Sequence, residues 1–349
     1  MGYEAPSATS HTHAGEKGRC AVYKHYAVCN CLFAFNGKAG GQMTFTTRAY
    51  VEEVDREAVL ALRRVCTTPE NVVDYPSLTD LHEFLNPVRR EQHTHIRLWE
   101  DSKGRLLAYA NVALPSSSFS FLIHPMAWET SIPAEIIAYA TAVRAASGAD
   151  GEERELGTNC RDSDEQRLCY LLQAGFELEE GEVPVMVRTL ADEIPEPEPP
   201  VGYKLRHIVG EEEVEACVAL HRAAFGTQNM TVEQRLSIMR EPDYDPRGDL
   251  VIEAPDGALV SYCICLVHPE ENAQSGRNWG YTDPIGVHPD YQRRGLGKAV
   301  LLGGLRYLKA RDVDTASFMT SSDNAAMLGL GTAAGFHRFY AYHWLSKRG

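Results

Sequence analysis

Hydrophobic positions along the 349-residue chain alternate between a spacing near 3.6 and a spacing near 2, which predicts helices and strands in succession. Beyond residue 203 the pattern predicts a strand over 203–209, an amphipathic helix over 211–225, and a hairpin of strands 250–254 and 258–267 around Pro255-Asp256-Gly257. A strand ending at Val287-His288-Pro289 follows, then a helix from Gly295 to about Arg311 and a strand over 315–321. A helix over 324–334 and two closing strands through Phe336 and Trp344 complete this half. Cys263 and Cys265 alternate on one of the hairpin strands and read as small buried residues.

The same order of elements occurs earlier. Strands are predicted over 45–51, 95–100, 106–114, 119–124, 154–157 and 176–190, with helices over 53–66, 134–146 and 164–174. His124-Pro125 echoes His288-Pro289, and Ala174-Gly175-Phe176 echoes Ala334-Gly335-Phe336. A repeat this long implies duplicated domains rather than a solenoid. Between the halves, the acidic proline-rich run 191–202 can neither pair as a strand nor continue a helix. The expected organisation is a poorly ordered extension over 1–42, a first domain over 43–190, a linker over 191–202 and a second domain over 203–349. The fold class is α/β of the α+β type, each domain a mostly antiparallel mixed sheet flanked by helices.

Composition narrows the function. A mix of 44% apolar and 23% charged residues suits a globular protein with cores, and the absence of any run of eighteen apolar residues argues against a spanning helix. A net charge of −14 repels phosphodiester backbones and anionic lipid, so neither nucleic acid nor membrane is an expected partner. Nine cysteines without framework spacing read as reduced thiols. Cys20, Cys29 and Cys31 with His11, His13 and His25 lack the paired spacing of a zinc site, and no metal is expected. The apolar stretch 27–35 is broken by Asn30 and lacks a small-residue cleavage signal, so a signal peptide is not expected and a cytoplasmic location is.

Against this acidic background stands Gln292-Arg293-Arg294-Gly295-Leu296-Gly297-Lys298-Ala299, between a predicted strand and a predicted helix. Glycines there let the backbone approach a ligand, and the helix start presents N–H groups and a positive dipole end to an anion. Cations at that end of a helix are unfavourable unless an anion compensates, which points to a diphosphate. A dinucleotide fingerprint would need glycine or alanine where Val300 stands, and a P-loop would need Ser or Thr at Ala299 and glycine at Gln292.

The segment 287–297 resembles the pyrophosphate-binding motif of GNAT acetyltransferases, Gln/Arg-x-x-Gly-x-Gly/Ala after a strand ending in Val-x-Pro. The resemblance is close over 281–340 and extends to a second motif matched by Asn324, Leu330, Gly335 and Phe336. It implies two tandem GNAT-like domains and acetyl-CoA as co-substrate. Gln292, Arg293, Arg294, Gly295, Leu296, Gly297, Lys298 and Asn324 would hold it, with the pantetheine arm along the splayed strand at Ile285 and Val287. The N-terminal half, with Met-Ala-Trp-Glu-Thr-Ser-Ile-Pro-Ala-Glu after His124-Pro125, has no glycine or basic residue there and is degenerate for CoA.

Family chemistry implies direct attack of a small-molecule primary amine on the thioester, by a monomer or homodimer. Asp283 is the candidate base, with turn formation at Thr-Asp-Pro as the alternative, and Tyr281 faces either the acceptor or the core. His288 suits proton handling by its intrinsic pKa, while its echo at His124 favours a structural role. Gly331 stands where many members have a tyrosine that protonates the thiolate; Tyr340 and Tyr342 either replace it or cover the sheet. That departure keeps open a CoA-binding sensor or scaffold, and a related acyltransferase of the same fold is a third reading. The regions that choose the acceptor, around 227–247 and 270–279, carry no transferable motif.

Overall fold

The computed structural model describes residues 43–76, 78, 81, 85, 95–114, 118–147 and 155–348; the Cys/His group of 11–31 lies outside them. In the N-terminal half, strand β1 (Phe45–Ala49) leads to helix α1 (Glu52–Cys66). Strands β2 (Ile96–Asp101), β3 (Leu106–Ala113) and β4 (Ser118–Ile123) follow, then α2 (Ile132–Ala146), β5 (Glu155–Arg161), α3 (Glu165–Gln173), β6 (Glu177–Leu178) and β7 (Val183–Thr189). The C-terminal half runs β8 (Lys204–His207), α4 (Val214–Phe225), α5 (Val232–Met239), β9 (Asp249–Glu253), β10 (Leu259–Leu266) and α6 (Pro269–Ser275). It ends with β11 (Trp279–Val287), α7 (Leu296–Ala310), β12 (Thr315–Met319), α8 (Ala325–Ala333) and β13 (His337–Arg348).

Duplication is visible at matched side chains. Arg48 on β1 binds Asp55 at 2.6 Å and Glu100 at 2.6 Å, and Arg206 on β8 binds Glu213 at 2.6 Å and Glu253 at 2.8 Å. In both halves the carboxylate before or in the first helical turn also accepts a backbone N–H four residues upstream, Val51 and Val209, at 2.7 Å. His124 and His288 each accept, through Nδ1, the amide two residues on at 3.3 Å, so both cap the short turn that follows them. Asp164 and Asn324 cap α3 and α8 at 3.1 Å.

The two halves share one sheet of thirteen strands. The central order is β4-β5-β13-β7-β12-β11. Strand β7 of the N-terminal half lies against β12, while β13 of the C-terminal half lies against β5 along Tyr342–Arg348. The last strands are thus exchanged. Two closing strands were expected through Phe336 and Trp344; a single strand takes their place, because an irregularity between Arg338 and Tyr340 lets it bend from β7 onto β5 without a turn. Conversely the strand expected over 176–190 divides into β6 and β7 at Gly181, whose φ of 89° suits glycine. Helices α5 and α6 occupy regions for which the sequence pattern predicted none.

The C-terminal core forms where α7 lays Val300, Leu301, Leu305 and Leu308 on Cys263, Cys265, Ala316 and Phe318. Removing such a leucine side chain costs about 2–5 kcal/mol. Gly304 brings the helix close: a Cβ there would lie 2.8 Å from Cys265 Sγ and 3.1 Å from Cys263 Sγ. On the opposite face, α1 covers the first half and α4 the second. Buried Arg63 of α1 reaches across to Gln274 of α6 at 3.0 Å, beside an Arg64–Glu270 pair at 2.6 Å.

Candidate active site

Strand β11 pairs in parallel with β12 only over Trp279–Tyr281 and Thr315–Ser317. Beyond that fork β11 remains bonded to β10, with an irregularity between the pairs Cys263–Ile285 and Cys265–Thr282. The irregularity brackets Asp283 and Pro284, which a cis peptide joins. A wedge opens between the strands, with Ile285 and Val287 packed along its α7 side.

Helix α7 starts at the head of the wedge. Its N-cap is Gly295, at φ 82°, and no side chain caps it. The first bond of the turn runs from Ala299 N to Gly295 O at 3.0 Å, so the amides of Leu296, Gly297 and Lys298 have no acceptor within the helix. Gly295 is exposed, and a Cβ there would meet nothing within 4 Å. A Cβ at Gly297 would touch Leu330 and Val287, each at 3.4 Å, so that glycine sits where β11, α7 and α8 converge. Arg293 also has positive φ, 63°, which turns the chain onto the helix. This is an anion cradle built of backbone, and its fit to a diphosphate is chemical: donors without partners beside exposed cations.

The expected ligand-holding residues divide into groups. Arg293 and Lys298 are exposed at the cradle. Gln292 closes the turn by donating to Val287 O at 3.4 Å. Arg294 leans the other way, donating to Tyr203 Oη at 3.1 Å and Asp290 O at 3.0 Å, with its guanidinium 5.0 Å from the Tyr291 ring centre. The Leu296 side chain is 1% exposed in the core, which leaves only its amide to offer. Asn324 Oδ1 accepts from Met327 N and starts α8.

Gly331 is buried, and a Cβ there would collide with the Phe318 ring. The space of the missing tyrosine is therefore filled from β12. Phe318 and Phe336 meet edge to face at 4.8 Å.

Tyr281 stands at the fork and donates its hydroxyl to Glu271 Oε1 of α6 at 2.7 Å. Its ring lies 5.0 Å from that of His268, whose Nδ1 is 3.3 Å from Asp243. Asp283 is half-buried, and its negative charge adds to burial in raising the Tyr262 phenol. Farther along the same face, the Tyr340 and Tyr342 rings meet at 5.7 Å, and Phe339 bridges Trp279 and Tyr340. Burial pushes the Tyr340 hydroxyl up to about 12 despite the Arg277 and Arg161 charges. Glu271, His268 and Asp243 escaped the sequence reading. A signal for α6 existed in Pro269 at its first turn, Glu270 and Glu271 beside it, and Gly276 at its end.

Residues 214–336 match the family model described as "Acetyltransferase (GNAT) family". The match to the GNAT family thus lies within the C-terminal half. A mycothiol acetyltransferase of Frankia casuarinae is 33% identical over 163 residues, 43% of this chain and 47% of the relative. The match thus spans about half the length of that relative. One of Streptomyces bingchenggensis is 27% identical over 267 residues, 71% of this chain and 79% of the relative. Among solved structures, a tandem GNAT protein from the clavulanic acid biosynthesis pathway superposes at a TM-score of 0.61, with 18% identity over 88% of this chain and 98% of that one. A GCN5-related N-acetyltransferase from Sphaerobacter thermophilus gives 0.57 at 22% identity, covering 87% and 95%. The tandem GNAT fold therefore covers both halves.

No helix among the described residues is long and apolar enough to cross a membrane. Among the same residues no group of three or more His, Cys, Asp or Glu could hold a metal ion.

Proposed function

We propose that the chain transfers the acetyl group of acetyl-CoA to a primary amine of a small molecule by direct attack, with residues 203–349 as the working domain, 43–190 as its degenerate partner and 191–202 as the linker. The observation that carries this reading is the uncapped start of α7 at the head of an open β11–β12 wedge. Amides 296–298 with Arg293 and Lys298 hold the diphosphate, and Ile285 and Val287 guide the pantetheine arm toward the fork, where Tyr281 stands. Holding thioester and amine together supplies much of the acceleration. The relatives' name, mycothiol acetyltransferase, supports a small-molecule acceptor.

A CoA-binding sensor is the second reading, favoured by the Phe318 ring in the space of the usual acid. Against it, a thiolate with about the pKa of a cysteine, ~8.5, is a leaving group that water can protonate. Calorimetry with acetyl-CoA, followed by thiol release across amines that include unacetylated mycothiol, separates them. Binding in the micromolar range with turnover on at least one amine supports the transferase; binding with none supports the sensor; no binding sinks both.

A further inference from the structure

We propose that Glu271, acting through the Tyr281 hydroxyl, takes the proton from the incoming amine, and that the acceptor is an alkylammonium ion received at the fork of β11 and β12. This rests on the transferase reading above and names its base and acceptor class.

Four observations converge. Tyr281 belongs to the last residue pair before β11 and β12 part, so its side chain is at the point toward which a thioester in the wedge would project. Its hydroxyl is already committed to Glu271 at 2.7 Å, so a proton received by the phenol oxygen passes to a carboxylate without rearrangement. Glu271 is only 8% exposed, on a helix tied to the N-terminal half by Arg63–Gln274 and Arg64–Glu270. Behind Tyr281 the His268 ring packs at 5.0 Å, with its Nδ1 3.3 Å from Asp243.

The other charged or titratable groups facing this cluster are Arg277, stacked on Trp279 at 4.6 Å, with Tyr340 and Tyr342 of β13. Beyond them Arg161, 5.4 Å from the Tyr340 ring centre, binds Asp74 at 3.0 Å, which largely neutralises both. A carboxylate among phenols prefers a cation, and an alkylamine is protonated at neutral pH, with a pKa near ~10 as in lysine. It must lose that proton before its lone pair can attack. The first proton goes to Glu271 through Tyr281 and on to solvent. The nitrogen then bonds to the acetyl carbon, the C–S bond breaks with its electron pair on sulfur, and the second nitrogen proton ends on the thiolate.

The test is kcat and KM against pH for the full chain and for Glu271→Gln and Tyr281→Phe, with calorimetry for acetyl-CoA. Glu271→Gln should lower kcat at pH 7 by about 10²–10³-fold and recover as pH rises toward that of the free amine. Tyr281→Phe keeps the ring against His268 and should lose roughly ten- to a hundredfold with the same alkaline shift. Acetyl-CoA affinity should stay within about twofold in both, which a merely structural role would not predict. Should Glu271→Gln not fold, Tyr281→Phe alone decides. Both variants within threefold of wild type with unmoved pH profiles overturn the assignment and leave the transferase reading standing; a wild-type chain that binds acetyl-CoA and turns over no amine overturns both.

Discussion

The two halves carry the same backbone plan and opposite contents. In the C-terminal half the helix after the wedge begins with Gly295 and Gly297, exposed amides and neighbouring cations. In the N-terminal half the equivalent helix α2 begins with Pro133, which has no N–H to give, and Glu135, which brings a negative charge bonded to Trp99 at 3.2 Å. Strands β4 and β5 also part, pairing only at Ser118–Gly157, but aromatic side chains fill that space. Phe119 stacks on Phe121, Tyr170 meets both Phe121 and Trp128, and the Tyr170 hydroxyl donates to Pro133 O at 2.5 Å. The lesson is that a splayed sheet is not in itself a cofactor site. The helix start must also keep its donors unspent.

That contrast can be broken at its strongest point by Gly295→Glu. A Cβ at this exposed position meets nothing within 4 Å, and left-handed φ costs a non-glycine residue roughly 1–2 kcal/mol, so the chain should fold. The carboxylate should weaken acetyl-CoA at least about a hundredfold by calorimetry, since it adds repulsion where a charge-assisted contact was. Glu135→Gln, at the matching helix, should leave affinity within about twofold; a large change there would mean that both halves bind the ligand.

Next in size is Gly331→Tyr, which restores the residue type common in the family. Because Phe318 holds that space, we expect a loss of about 1–3 kcal/mol in stability by denaturant unfolding and no gain in kcat. A faster enzyme of unchanged stability would show that the pocket adapts.

The smallest effect sharpens what the halves still share. Glu213 sits below its ordinary carboxylate pKa, chiefly through Arg206. Burial alone would raise Asp55, but Arg48 and the Val51 amide override it and hold it low as well. A depressed carboxylate stabilises the fold above its unfolded pKa, about 4, and that stabilisation disappears as pH falls through the folded value. Arg206→Ala and Arg48→Ala should each cost about 1 kcal/mol at pH 7, discounted for partial exposure, and progressively less below pH 4. A cost that persists undiminished at pH 3 would place the effect in packing instead of charge.

Most of the C-terminal architecture was legible because its elements are long and periodic and because the cradle is a contiguous run from Gln292 to Ala299. The duplication was legible as a repeated order of elements with His-Pro and Ala-Gly-Phe echoes, whereas the matched Arg48 and Arg206 clusters join residues up to 52 positions apart and differ in carboxylate type. Short helices α5 and α6 were missed, and with α6 went Glu271, whose partnership with Tyr281 depends on a fold-level approach. The Phe318–Gly331 complementarity is likewise a fact of packing. Leu296 and Arg294 show the reverse limit: adjacency in a motif does not fix which way a side chain turns.

Strand β13 has one further consequence. Cutting the chain in the linker would leave the N-terminal fragment with an unsheltered β5 edge and deprive its companion of the strand beside β12, so neither piece would inherit a finished sheet. A copy without the glycine-rich helix start cannot then be discarded by simple deletion. The exchange locks the half without the cradle to the half that carries it.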